Sequence, residues 1–258
     1  MIQVKGLSAG YLGKKIVKEV TLDFVPGEVL VLLGPNGSGK STFLKAALGL
    51  LPSMGGEILY DGRNMKQMTR KEIAQKAAFL SQSRNTPSIQ ALRMVLHGRF
   101  PYLSYPRQYS KTDREIAQNA MEVTGSISYA ESNVSELSGG QRQGVYLAMA
   151  LAQDTQTIFM DEPTTYLDIN RQLQIMETAK RLAKNGKAVV LVLHDIALAL
   201  GGADRVAVFS EGSLRSVGTP DKIYKSGVLD EVFGVKIHSM ETPHGRQYYC
   251  TTKETGVH

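Results

Sequence analysis

Two stretches of this chain carry side chains suited to phosphate chemistry. Gly34, Pro35, Asn36, Gly37, Ser38, Gly39, Lys40 and Ser41 follow the spacing G-x-x-x-x-G-K-[ST] and stand directly between an apolar run and an Ala-rich segment. The glycines let backbone N–H groups turn inward around phosphate oxygens, Lys40 supplies a point charge to the terminal phosphates, and the Ser41 hydroxyl can hold Mg²⁺. A Gly-rich loop can arise by chance in a chain with 25 glycines, but the strand–loop–helix setting is the one this chemistry requires. Downstream, the apolar run Thr157 to Met160 ends in Asp161 and Glu162. Alone, two carboxylates after a strand make an ordinary solvated turn. Beside a phosphate loop, Asp161 is placed to hold Mg²⁺ through its water shell and Glu162 to polarise the water that attacks the γ-phosphate.

These groups need rigid elements behind them. The stretch Glu28 to Leu33, with the apolar run Val29 to Leu33 closed by Gly34, reads as a strand buried on both faces, preceded by strands at Ile2 to Lys5 and Ile16 to Phe24 and followed by a helix over Lys40 to Leu51. Thr69 with Glu72 forms a capping box for a helix leading into a strand at Ala78 to Leu80. Between Ser83 and Ser138 the strand pattern stops. Arg84 to Ser88 and Pro101 to Ser110 read as connections, and Thr112 with Glu115 caps a helix with the apolar face Ile116, Ala117, Ala120, Met121. The α/β rhythm then returns: a helix from Val145 to Ala152, a strand at Thr157 to Met160, a helix with Leu173, Met176, Ala179 and Leu182 on one face, and a strand at Ala188 to Leu193. The two α/β stretches are expected to share one parallel sheet. Past Val206 come short strands, a helix near Asp221 to Ser226, and a turn at His244-Gly245 before Gln247 to Thr251.

Composition sets outer bounds. The chain has 258 residues, 42% hydrophobic and 21% charged, with a net charge of +6, the balance of a folded globular protein. The positive charges are scattered, which reads as a solvated surface with a phosphate site and not as a nucleic-acid or lipid patch. Cys250 stands alone, so no intrachain disulfide forms and a reducing compartment is expected. The opening ten residues lack the apolar stretch of a secretory leader. The longest apolar runs, Gly144 to Ala152 and Ala188 to Leu193, fall short of the roughly 18 residues a membrane-spanning helix needs.

Leu137, Ser138, Gly139, Gly140 and Gln141 repeat the phosphate logic, with a hydroxyl and glycine amides at a helix start. Taken in order, Tyr11, the Gly34–Ser41 loop, Gln82 after a strand, Leu137 to Gln141, Asp161-Glu162, the Thr165 to Asp168 loop and His194 after a strand resemble the nucleotide-binding subunit of an ATP-binding cassette (ABC) transporter. The resemblance covers about residues 1–225. It implies an α/β fold with a mostly parallel P-loop NTPase core, an antiparallel β subdomain and a helical subdomain inserted at about 83–153, with 226–258 a short C-terminal extension. It further implies that Tyr11 stacks on adenine, that Thr42 joins the loop in holding ATP, and that Gln82 senses Mg²⁺ and a permease. His194 would contact the γ-phosphate, Leu137 to Gln141 would meet the ATP of a second subunit, and Asp168 would link the two sites. Two positions depart from the family pattern. Gly144 stands where a basic residue is frequent, and Tyr166 replaces a small residue.

Within the family, Gly98-Arg99-Phe100-Pro101, Leu147 to Asp154 and Thr164 to Ile169 are similar to the importers of iron–siderophore, haem and cobalamin complexes. Gly98 to Pro101 reads equally as a plain helix end. The implied assembly is a homodimer in the presence of ATP, bound peripherally on the cytoplasmic face of the membrane to two permease subunits. A substrate-binding protein takes part indirectly, and no nucleic acid is involved. Coupling to the permease is expected through the helical block and Gln82. A chromosome-repair ATPase would need a long coiled coil between phosphate loop and Ser138, and no sustained heptads occur there. A translation-associated ABC protein would carry two cassettes, and only one phosphate loop exists. A pure binding module would not need Glu162 and His194.

Overall fold

The computed structural model describes residues 1–82, 86–243 and 245–252. The chain opens with β1 (Ile2–Tyr11), β2 (Lys14–Phe24) and β3 (Val29–Leu33), then α1 (Lys40–Ala47), β4 (Ser53–Tyr60), β5 (Arg63–Asn64), α2 (Arg70–Ala74) and β6 (Ala77–Leu80). Three helices follow, α3 (Ala91–Leu96), α4 (Lys111–Val123) and α5 (Gly139–Ala152), before β7 (Thr157–Asp161), α6 (Ile169–Lys184), β8 (Ala188–Val192) and α7 (Ile196–Gly202). The chain closes with β9 (Arg205–Ser210), β10 (Ser213–Gly218), α8 (Pro220–Ser226), α9 (Val228–Phe233), β11 (Val235–Thr242) and β12 (Gly245–Thr252).

The expected parallel sheet is present, in the order β10-β9-β3-β8-β7-β6. Every neighbouring pair is parallel except β10 with β9. All five residues of each of β3, β7 and β8 are buried, because the sheet is covered on both sides. Alternate side chains leave a strand on opposite faces. Val31, Met160 and Leu191 therefore face the helices α3 to α7, while Leu32, Phe159 and Val192 face α1 and a second, antiparallel sheet, β2-β1-β4-β5. On that second face Phe24 meets Phe159 edge-on at 4.9 Å and Phe43 lies 5.3 Å from Phe209. Deleting a ring such as Phe159 would cost about 3–5 kcal/mol.

Several local expectations are corrected. The first strand runs on to Tyr11 because it pairs with β2 on one side and β4 on the other. Helix α1 stops at Ala47, and Gly49 turns the chain with φ +68°. Helix α4 is capped by Ser110 with Asp113, not Thr112 with Glu115: Ser110 Oγ accepts from the Asp113 amide while the Asp113 carboxylate accepts from the Ser110 amide. Leu173 is 50% exposed, and Ile175, Met176, Ala179 and Leu182 form the buried face of α6. The Thr69–Glu72 capping box is present as expected. His244 of the expected turn, and Ser83 and Arg84 at the start of the helical block, lie outside the described residues.

Gly98 to Pro101 sits in a 3₁₀ turn, His97–Tyr102. A side chain on Gly98 would meet the Met149 carbonyl at 2.3 Å. Arg99 is buried, donating through Nε to Asp113 Oδ1 at 2.8 Å and through Nη1 to the Ala152 carbonyl at 3.0 Å. The segment thus fastens the end of α3 to the start of α4 and the end of α5. No helix among the described residues is long and apolar enough to cross a membrane.

Candidate active site

The parallel register brings the chemistry to one edge. Leu32 pairs with Val192 and Val192 with Asp161, while Leu80 pairs with Met160. One or two residues beyond those pairs stand Gly34, His194, Glu162 and Gln82. Ligands of open parallel sheets bind at this carboxyl edge, where the chain leaves the strands.

The phosphate loop bends through left-handed residues, Gly37 at φ +79° and Gly39 at φ +99°. It is braced from the side: the Gly212 amide donates to the Ser38 carbonyl at 3.1 Å, and the Lys18 amide donates to the Gly212 carbonyl at 2.8 Å. Gly212 admits no side chain, since a Cβ there would lie 1.9 Å from the Ile16 carbonyl oxygen. Lys40 is 5% exposed, its ammonium donating to the Gly34 and Pro35 carbonyls at 2.7 and 2.9 Å. Burial pushes this ammonium below the usual lysine range, and the facing charges of Glu162 and Asp161 only partly offset that. A shallow depression of about 140 Å³ is lined by Asn36, Gly37, Lys40, Ser41, Thr42 and Glu162.

Ser41 Oγ donates to Asp161 Oδ1 at 2.9 Å. Asp161 is 2% exposed, and burial pushes its carboxyl above the usual range, with Glu162 adding to the shift and Ser41, Lys45 and Lys40 opposing it. Glu162 follows directly after β7 at φ +51°, and its carboxylate meets a different set of partners from that of Asp161. It accepts from Gln82 Nε2 and, at 3.2 Å, from Thr165 Oγ1, while His194 Nε2 lies 2.7 Å from its other oxygen.

The remaining residues lie further out. Ser138 caps α5 in a capping box with Gln141, whose Oε1 accepts from the Ser138 amide at 2.8 Å. Leu137 is buried, while Ser138 and Gly139 are exposed. Gly139 shares a hollow of about 290 Å³ with Gln82, Glu162, Gln143 and Tyr166. Ser138 is not among the residues lining the depression around Lys40. Asp168 caps α6 by accepting from the Arg171 amide at 2.9 Å. Tyr11 ends β1 with 46% of its surface exposed. Gly144 packs without strain, a Cβ there meeting only Ser126 and Thr124 at 3.5 Å. Sequence reasoning missed two supports. One is Thr165 as a partner of Glu162, and the other is Gln143, whose amide donates to the Pro163 carbonyl at 2.6 Å and ties α5 to the loop after Glu162. Thr165 reaches Glu162 within one turn of the loop after β7, three residues on, whereas Gln143 meets Pro163 only through the packing of α5 on the sheet edge.

A strand–glycine loop–helix, with a strand leading into Asp161-Glu162 two places away in the same parallel sheet, defines an ATPase of the phosphate-loop class. The ABC transporter family matches residues 17–165, and the chain belongs to that family. It is 36% identical to the petrobactin import ATP-binding protein FpuD of Bacillus anthracis, over 94% of this chain and 89% of that one. It is 37% identical to the hemin import ATP-binding protein HmuV of Rhodococcus jostii (strain RHA1), over 94% and 82%. Among solved structures, the fold matches a putative metal-chelate type ABC transporter in an inward-facing conformation, with a TM-score of 0.84 at 24% identity over 98% of both chains. A dimeric bacterial ABC transporter cassette matches with a TM-score of 0.75 at 29% identity, over 85% of this chain and 99% of that one.

Proposed function

We propose that this chain is the ATP-hydrolysing subunit of an importer for an iron chelate, a ferric siderophore or a related complex such as haem or cobalamin. The observation that carries the catalytic reading is the Glu162 carboxylate, held by Gln82, Thr165 and His194 at the rim of the depression around Lys40 and Ser41. In this reading Tyr11 stacks on adenine, the loop from Gly34 to Thr42 holds the phosphates, and Glu162 holds the attacking water in line. Ser41 and Asp161 suit Mg²⁺, being hard oxygen donors already 2.9 Å apart. Gln82, whose amide nitrogen donates to Glu162, is the third residue of the proposed metal set, with phosphate oxygens and water completing the shell. When bound, the ion neutralises charge on the phosphates.

The assembly we propose is a head-to-tail homodimer in which each ATP lies between Lys40 of one copy and Ser138 to Gln141 of the other, with Asp168 between the sites. It works on the cytoplasmic face of the membrane, against two permease subunits served by a substrate-binding protein. The names of its relatives, which cover petrobactin, hydroxamate, achromobactin, enterobactin and hemin, support the chelate class.

The test uses Glu162→Gln, which keeps shape and removes charge. Hydrolysis is expected to fall about 10²-fold or more while ATP binding persists and the protein elutes as a dimer with ATP and Mg²⁺. Adding Ser138→Arg is expected to disperse that dimer. Wild-type hydrolysis by Glu162→Gln defeats the catalytic reading, and a monomer that binds ATP but does not hydrolyse it defeats the shared site. Uptake of labelled ferric siderophore against labelled haem in a deletion strain decides the substrate.

A further inference from the structure

His194 occupies a narrow gap between two anchored stretches. On one side Leu193 is fully buried and its amide donates to the Leu32 carbonyl at 3.2 Å. On the other, Ile196, the first residue of α7, is buried. Between them His194 and Asp195 are exposed. The imidazole is 40% exposed, so surrounding side chains do not wall it into one orientation. Its aim at Glu162 depends on the backbone at its two ends.

The strand end is held by the sheet. The helix end is held by Asp195, which sits at φ −79° and ψ 111° as the cap of α7, its Oδ1 accepting from the Leu198 amide at 2.9 Å and its carbonyl from the Ala199 amide at 3.1 Å. Helix α7 has seven residues, so its first-turn amides are a large share of its hydrogen-bonding groups and a lost cap lets the first turn fray. That fraying would begin at the peptide joining His194 to Asp195. Behind α7 stands the C-terminal hairpin: β12 packs along the helix, Ile237 of β11 is buried in the core, and Tyr248 meets Tyr224 of α8 at 5.3 Å. The helix is thus supported along its back and depends at its N-terminus on one side chain.

We infer that Asp195 is a positioning residue for ATP hydrolysis, holding the start of α7 so that His194 stays aimed at Glu162, with the C-terminal hairpin as the support behind that helix. The inference rests on the role proposed above for His194.

The experiment is a double-mutant cycle on the full chain, with ATP hydrolysis and nucleotide affinity measured for Asp195→Ala, Asp195→Asn, His194→Ala and the His194→Ala, Asp195→Ala pair. Circular dichroism checks the fold, and Asp195→Gly is the milder removal should the alanine variant not fold. Asp195→Ala is expected to lower kcat on the order of tenfold, the effect of a lost cap of ordinary strength, with the KM for ATP nearly unchanged. Asp195→Asn, which also caps, is expected to restore most of the rate. In the His194→Ala background Asp195→Ala is expected to cost nothing more, because the two act through one group. A full additional loss in the pair, a wild-type kcat for Asp195→Ala, or no rescue by asparagine overturns the inference and leaves the role of His194 standing. A wild-type rate for His194→Ala removes that role and the inference with it.

Discussion

His194 Nε2 lies 2.7 Å from Glu162 Oε1 because β7 and β8 are neighbours, with Asp161 opposite Val192. Both residues stand just past the ends of their strands, so the pairing follows from sheet register. The other Glu162 oxygen takes Gln82 and Thr165. The carboxylate is therefore oriented before any nucleotide arrives, and little ordering remains to be done during reaction.

Thr165→Val removes one of those hydrogen bonds with little change of shape. A hydrogen bond to a charged group contributes about 1.5–3 kcal/mol when shielded, and this site is partly solvated. A several-fold fall in kcat with unchanged ATP affinity is expected in steady-state hydrolysis. Equal rates for the two proteins would show that the threonine does not orient Glu162.

Lys40→Ala is expected to abolish useful ATP binding while leaving the fold. The ammonium is held by the loop's own carbonyls at Gly34 and Pro35 and Lys40 belongs to the phosphate loop and not to either apolar core cluster, so its loss chiefly removes charge facing the phosphates. Nucleotide titration of the folded variant checks it, and wild-type affinity would take Lys40 out of the site.

Asp161→Asn is expected to stabilise the nucleotide-free protein at neutral pH. Burial raises this carboxyl above its ordinary range, so its ionised form is a cost to the folded state. That cost appears as pH rises from the unfolded value through the raised folded one. Thermal melts should show a higher Tm for the variant without ligand, about 2–4 °C for each kcal/mol recovered, and a smaller gain than wild type on adding Mg²⁺ with ATP.

Arg99→Ala is expected to destabilise the helical block by about 3 kcal/mol or more, since it leaves a buried carboxylate without its partner. Burial alone would raise the Asp113 carboxyl, yet Arg99 and the Ser110 hydroxyl and amide together hold it below the usual range. This stabilisation is present above the ordinary carboxylate pKa and is lost as pH falls through the depressed one. Denaturant melts from neutral to acid pH should converge for wild type and Arg99→Ala.

Gly98→Ala belongs with Arg99 as a stability variant, because its new methyl would press on the Met149 carbonyl; a cost of about 1–3 kcal/mol is expected. Coupling to a permease is better probed at Phe100, 49% exposed and stacked between His97 and Tyr109. Phe100→Ala should spare hydrolysis by the isolated subunit and lower transport. Equal loss of both activities in a folded protein would count against coupling through this segment.

What the sequence determined by itself was local. The phosphate loop could be read because its glycines, lysine and serine act within eight consecutive residues, and the strands read at Glu28 to Leu33, Thr157 to Met160 and Ala188 to Leu193, observed as Val29–Leu33, Thr157–Asp161 and Ala188–Val192, because burial on both faces demands largely apolar runs. Caps were legible where the box was unambiguous, as at Thr69 and Glu72. At Thr112 and Glu115 the same spacing misled, because Ser110 with Asp113 offered a competing box two residues earlier and the ion pair with Arg99 favours it.

Only the tertiary structure decided which strands lie side by side. The placement of β3, β8, β7 and β6 in that order puts Gly34, His194, Glu162 and Gln82 at one edge, though nothing in their separation along the chain encodes it. It also decided that Leu173 faces outward and that Arg99 faces inward. Helical periodicity marks an apolar face, but the neighbours set which apolar residue is covered and which charged one is paired. Local motifs depend on short-range hydrogen bonding and backbone angles and so are written in a few residues. The site depends on sheet register, which the whole core sets.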